Sequence, residues 1–171
     1  MAIHHYLDTT GRAAAIGVRA EDAFEALAKA SGFAVEKSTR NQDMREHWDF
    51  RITKDGKSHR VEVKGEKDFA VLSNGQMTRD FFLVEFVGVT GHAGWLYGQA
   101  DLVAFEKNGG FYVVPRNTLV SVAEKLCSTD WVKEKRHMLY KSYGREGRQD
   151  EVSAILINDI IATRSFSFWK K

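Results

Sequence analysis

The sequence predicts one domain of the α/β (α+β) class, and three observations carry that expectation. A helix-rich stretch opens the chain, two alternating apolar and polar runs flank Asp55-Gly56, and further strand-like runs fill the middle. The length of 171 residues suits one domain better than two. Apolar residues at 43% and charged residues at 28% are ordinary for a globular chain, which excludes collagen-like, disordered and disulfide-scaffold classes. No linker or repeat marks a boundary, so the expected organisation is a single unit over 1–171. Its core would lie at about 12–126, with a basic C-terminal extension at about 127–171.

Residues 16–31 place Ala20, Phe24, Leu27 and Ala28 at helical spacing, and Gly32 follows as a stop, so a first helix is expected there. Residues 33–36 read as a short strand and 37–46 as a polar loop without periodicity. Runs 48–52 and 60–64 alternate, and Asp-Gly between such runs signals a tight hairpin. Further strands are expected at 81–89, 95–97, 101–105, 111–114 and 153–157, and a second helix at 119–126.

The turn fixes the hairpin register. With Asp55 and Gly56 central, Lys54 faces Lys57, Phe50 faces Val61, Asp49 faces Glu62 and Trp48 faces Val63. Trp48, Phe50, Val61 and Val63 then share an apolar face, while Asp49, Glu62, Lys64, Arg51 and Arg60 share the other. Two carboxylates directly opposite each other repel at a Cβ separation of roughly 4.5–5.5 Å. Arg51 and Arg60 would screen them if this were only a solvated polar face. A divalent cation is the other neutraliser, because paired carboxylates suit Mg²⁺ and backbone carbonyls can add a ligand. Lys64, on the same face as Glu62, would orient a water or stabilise charge on a phosphorane, which points to phosphodiester hydrolysis.

Asp49, followed after twelve residues by Glu62-Val63-Lys64, resembles the signature of the PD-(D/E)XK nuclease superfamily, an acid on one strand and Glu-x-Lys on the next. The opening helix GVRAEDAFEALAKASGF resembles the first helix of the Holliday-junction-resolvase-like branch, with Glu21 at the position of its glutamate and Glu25 one turn on as a substitute. The segment His47-Trp48-Asp49-Phe50 is similar to phage and mobile-element nucleases of this type. Trp48 stands where the motif's proline would be.

The resemblance spans about residues 17–115 and implies a restriction-endonuclease-like fold, with a mixed central sheet flanked by helices. It implies dependence on Mg²⁺ or Mn²⁺, held by Asp49, Glu62 and the Val63 carbonyl. Lys64 would stand near the attacking water, and Glu21 would serve as an accessory ligand. Gln76 lies where the superfamily often places another polar residue. DNA is the implied partner, and a homodimer would let two sites address two strands. A catalytically inactive DNA- or protein-binding module of the same fold, such as a phage accessory or counter-defence protein, is the alternative.

Residues 133–148 hold six Lys/Arg, Lys133, Lys135, Arg136, Lys141, Arg145 and Arg148, with Trp131, Tyr140 and Tyr143 around them. Basic and aromatic residues together suit nucleic-acid contact, and Lys135, Arg136, Lys141, Arg145 and Arg148 are the expected contacts. Asp80 and Glu85 flank an apolar strand, either as solvent-facing acids or as a second metal site. Gly56-Lys57-Ser58 mimics the end of a P-loop, but Arg51 stands where the upstream glycine belongs. The histidines His4, His5, His47, His59, His92 and His137 have no zinc spacing. One cysteine, Cys127, rules out an intrachain disulfide and fits a reducing, cytoplasmic compartment. Residues 1–10 show no secretory pattern, and no apolar run is long enough to span a bilayer.

Overall fold

The computed structural model describes residues 11–67 and 69–171; His4, His5 and Asp8 lie outside the described residues. In chain order the elements are α1 (Arg12–Ala30), β1 (Ala34–Lys37), α2 (Arg40–Glu46), β2 (Phe50–Lys54), β3 (Lys57–Lys64), β4 (Ala70–Val71), β5 (Met77–Thr78) and β6 (Phe81–Val87). A 3₁₀ turn at Trp95–Tyr97 precedes β7 (Leu102–Lys107), β8 (Gly110–Pro115) and α3 (Arg116–Leu126). A second 3₁₀ turn at Lys135–His137 leads to β9 (Glu151–Leu156), α4 (Ile157–Thr163) and β10 (Ser167–Lys170). The fold is mixed α+β around a central six-stranded sheet in the order β1-β2-β3-β7-β8-β10. That sheet is mixed because β3 and β7 run parallel while β1–β2, β2–β3 and β8–β10 pair antiparallel.

The chain forms two compact units. The first contains the described residues through Glu66, with Ala100–Val113 and Ser167–Lys171. Its core joins Ala20, Phe24 and Ala28 of α1 to Phe50, Ile52, Val61, Val63, Ala104, Phe111 and Val113 of the sheet. The spacing of four along α1 puts those three residues on one stripe, and the alternation of β2 and β3 supplies the surface it covers. Burying a Phe such as Phe24 contributes about 1.5–3 kcal/mol. Phe24 also meets Phe111 edge to face and stacks on Trp169, at centroid separations of 5.4 and 5.6 Å.

The hairpin has the expected register from Lys54↔Lys57 to Phe50↔Val61. Asp55 and Gly56 both take positive φ, 51° and 74°, as a two-residue turn between twisted strands requires. The ladder does not continue to an Asp49↔Glu62 pair. β2 begins at Phe50, and the Asp49 N–H instead donates to the Val61 carbonyl at 2.8 Å.

Residues 40–46, expected as loop, form α2. Thr39 and Gln42 cap it reciprocally, with Gln42 N–H on Thr39 Oγ1 and Thr39 N–H on Gln42 Oε1. Residues 95–97, expected as a strand, are a 3₁₀ turn between Gly94 and Gly98.

The second unit comprises Lys67–Gln99 and Val114–Phe166. Its sheet is the β6–β9 pair, separate from the central sheet, and β4 pairs with β5. Phe81, Met138, Val152, Ala154 and Ala70 form a core cluster there. Residues 127–171 are woven through the fold: β9 and α4 belong to the second unit, whereas β10 pairs with β8 in the first. No helix among the described residues is long and apolar enough to cross a membrane.

Candidate active site

The site sits in the first unit where β2 stops and β3 runs on. At this end Asp49 replaces the missing ladder partner: its Oδ2 accepts the Val63 N–H at 2.6 Å. A strand residue's N–H and C=O point to the same edge, so the Val63 carbonyl opens on the side that Asp49 occupies. Glu62 lies between Val61 and Val63 in sequence and projects from the opposite face, where Lys64, two residues on, ion-pairs with its Oε1. Asp49 is only 8% exposed and Glu62 only 5%. A merely solvated polar face would leave both acids in water. Trp48, next to Asp49 in the chain, is buried, and its indole N–H donates to Glu46 at 2.7 Å, which fixes the segment leading into Asp49.

The carboxyl of Asp49 is held well above the usual Asp range, first by burial and then by the charge on Glu62. Lys64 and the Val63 N–H oppose that shift, and Glu21 adds to it. Glu21, on α1, is raised by burial and eased by Lys37, whose Nζ lies 3.4 Å from its Oε2. Asp43, on α2, stays exposed to solvent at its surface, and its carboxyl is raised by partial desolvation and by Glu62 and eased by Lys64, His47 and Lys37. Sequence reasoning missed Asp43. The signal for it was the Thr39-x-x-Gln42 cap, which turns the polar stretch into a helix and brings an acid into the field of Glu62.

Asp49, Glu62 and Lys64 are thus brought together, with Glu21 and Asp43 within electrostatic reach. Glu25 instead pairs with Lys29 at 2.6 Å along α1. Gln76 lies in the second unit, in the turn between β4 and β5, where its Oε1 accepts from Asn74 at 3.1 Å. His47 caps α2 with a left-handed backbone.

The five basic residues expected to contact nucleic acid all lie in the second unit. Lys135 and Arg136 line a cleft, and Lys141 is exposed. Arg145 forks onto buried Asp150, with Nε and Nη2 each 2.7 Å from its Oδ2. Arg148 keeps one guanidinium nitrogen, Nη1, buried without a partner. Glu85 accepts from the Trp95 N–H at 3.4 Å. The thiol of Cys127 is pushed up by burial.

Among the described residues, no group of three or more His, Cys, Asp and Glu side chains is arranged to hold a metal ion. The fit to a cation therefore rests on the pair. Glu62 Oε2 is buried with no hydrogen-bond partner, and leaving such an oxygen unmatched costs about 1–3 kcal/mol or more. Mg²⁺ needs only one or two carboxylates and takes its remaining ligands from water and phosphate. Asp49 and Glu62, with the Val63 carbonyl beside them, meet that requirement.

No known family pattern matches this chain, and no curated protein does. Among solved structures it is similar to a bacterial homing endonuclease, I-Ssp6803I, at 19% identity and a TM-score of 0.43, over 63% of this chain and 72% of that one. A likeness of that size lends no weight to an activity.

Proposed function

We propose that this chain is a metal-dependent deoxyribonuclease of the PD-(D/E)XK type, hydrolysing DNA phosphodiester bonds. The observation that carries the reading is the buried, unpartnered Glu62 Oε2, on a carboxylate whose other oxygen pairs with Lys64 and whose charge raises Asp49. Asp49 and Glu62 would hold Mg²⁺ or Mn²⁺, with the Val63 carbonyl as a third donor and Glu21 as an accessory group. When bound, the ion supplies Lewis acidity and a more acidic water.

The chain's own residues do the rest. Lys64, tethered to Glu62, carries a positive charge to the scissile phosphate, where it orients a water and stabilises charge on the equatorial oxygens. The water oxygen bonds to phosphorus and gives up a proton to solvent, one P–O ester bond breaks, and the leaving oxygen takes a proton from solvent, so that one water is consumed per bond cleaved. Asp49 donates nothing while ionised; its hydrogen bond from Val63 keeps one oxygen fixed. Lys135, Arg136, Lys141 and Arg148 supply cationic contacts to the phosphate backbone.

One observation favours the inactive binding module of the same fold: Lys64 already satisfies one oxygen of Glu62, as it would in a purely structural ion pair. Cleavage of supercoiled plasmid, linear duplex, single-stranded and four-way-junction DNA in Mg²⁺ or Mn²⁺ separates the two, with EDTA controls and Asp49→Ala and Lys64→Ala variants. Metal-dependent cutting lost in both variants supports the nuclease. No cutting of any substrate supports the binding module.

A further inference from the structure

The basic, aromatic stretch at 131–148 is not uniform. Tyr140 donates its hydroxyl to Asp159 Oδ2 at 2.6 Å, and Tyr143 packs against the core cluster of the second unit. Trp131 differs from both, with 61% of its surface exposed. Its backbone is nonetheless held on both sides: Val132 N–H donates to the Ser142 carbonyl and Ser142 N–H to the Asp130 carbonyl, each at 2.9 Å. Ser142 is itself buried and bonds Glu151 Oε1 at 2.7 Å. The indole lies on Gly144, where an added Cβ would come within 3.0 Å of Trp131 Cζ3. A large apolar ring is thus fixed from below and left open to solvent, beside Lys133 in the chain.

Four residues further on, Lys135 and Arg136 enter the cleft of about 270 Å³ whose other walls are Lys67, Phe69, Phe81 and Glu134. Phe69 is 40% exposed there. Among the described residues that line it Glu134 is the one acid, and it pairs with Arg136 at 2.7 Å with both side chains more than half exposed, so it offsets their positive charge only in part. Four residues span at most about 14 Å, so Trp131 and the cleft are within reach of the same few nucleotides.

We propose that the second unit binds single-stranded DNA, with one base stacked on Trp131, a neighbouring base against Phe69, and the backbone along Lys135 and Arg136. This deepens the nuclease reading and rests on it for the choice of DNA. Exposed aromatic faces are of use only to bases whose faces are exposed, and those of a duplex are stacked on each other. The cations alone would serve either form. The aromatic component therefore selects the unpaired strand.

Fluorescence anisotropy in EDTA, with labelled oligothymidylate and a duplex of the same length, tests this without cleavage. Wild type is expected to bind the single strand more tightly. Trp131→Ala should weaken single-strand binding by about five- to 150-fold, the effect of losing one stacked base, and leave duplex binding unchanged. Trp131→Phe should restore most of the affinity, and Phe69→Ala should repeat the selective loss with an unaltered melting temperature. Lys135→Glu with Arg136→Glu should weaken both forms and flatten the dependence on salt. Equal affinity for the two forms, or a Trp131→Ala variant that leaves single-strand binding intact, overturns the proposal. Single-strand binding in EDTA without any cleavage in Mg²⁺ would overturn the nuclease reading and leave this surface standing.

Discussion

Burial and the charge of Glu62 both oppose ionisation of Asp49, so its proton is bound more tightly in the folded chain than in the unfolded one. The sign follows from linkage. The stabilisation from this group is complete below the ordinary Asp value of 3.8 and is lost as pH rises through the elevated folded value. Asp49→Asn, which retains an oxygen for the Val63 N–H, should therefore melt higher than wild type without metal at neutral pH. Each kcal/mol of relief shows as about 2–4 °C. The gain should shrink as pH falls from the elevated folded value toward 3.8 and vanish below it, and thermal melts across pH would check it; a variant that melts lower at neutral pH contradicts the assignment. Added Mg²⁺ should reverse the order by binding only the wild type, a shift of about 2.7 kcal/mol at a hundredfold excess over Kd. The shared face of Glu62 and Lys64 was legible because a strand's period of two and an Asp-Gly turn determine it, whereas Asp49 reaches them through the Val63 N–H and not through the expected place opposite Glu62. Asp43 was missed because its approach to Glu62 depends on a helix that only the Thr39-x-x-Gln42 cap, and no periodicity, marks in the sequence.

Among the elements, α2 is seven residues long and buries none of its side chains, so its cap carries much of its stability. Thr39→Ala should destabilise the protein by about 1 kcal/mol and alter the field at Glu62 through Asp43. Denaturant melts would measure the first effect, and the pH dependence of activity the second. The seating of α1 on the sheet is more sensitive. A Cβ at Gly65 would stand 2.7 Å from Ile16 Cγ2 and 3.1 Å from the Ile16 carbonyl. Gly65→Ala should therefore cost about 1–3 kcal/mol as overpacking and lower activity by shifting the helix that carries Glu21; a neutral melt would show that α1 yields freely. Helix α1 and the hairpin were readable because each is long and strongly patterned. Helix α2, at about two turns, and the 3₁₀ turn at 95–97, at one, are too short for a periodic pattern to identify them, and hydrogen bonds to caps and flanking glycines decide their form.

For the molecule as a whole, the last strand closes the central sheet. Trp169 of β10 stacks on Phe24 of α1 and on Phe33, at centroid separations of 5.6 and 5.3 Å. Trp169→Ala should destabilise the first unit by roughly half of the 3–5 kcal/mol typical of a fully buried Trp, and circular dichroism melts would report it. In the sequence, Phe166, Phe168 and Trp169 read only as aromatics that cover an edge of the core, with no strand assigned to them. Nothing local tells a strand that its partner is β8, more than fifty positions earlier in the sequence. The same limit hid the separate β6–β9 pairing, whereas the α+β class itself followed from the kinds of elements present. The central question for the whole molecule is whether the pair of buried acids supports hydrolysis. The most direct measurement is single-turnover cleavage of plasmid DNA in Mg²⁺ by wild type and by Glu62→Gln, which keeps the shape of the side chain and removes its charge. Wild type should cut the plasmid and stop cutting in EDTA, and Glu62→Gln should not cut; cutting by Glu62→Gln at the wild-type rate would rule out hydrolysis at these acids.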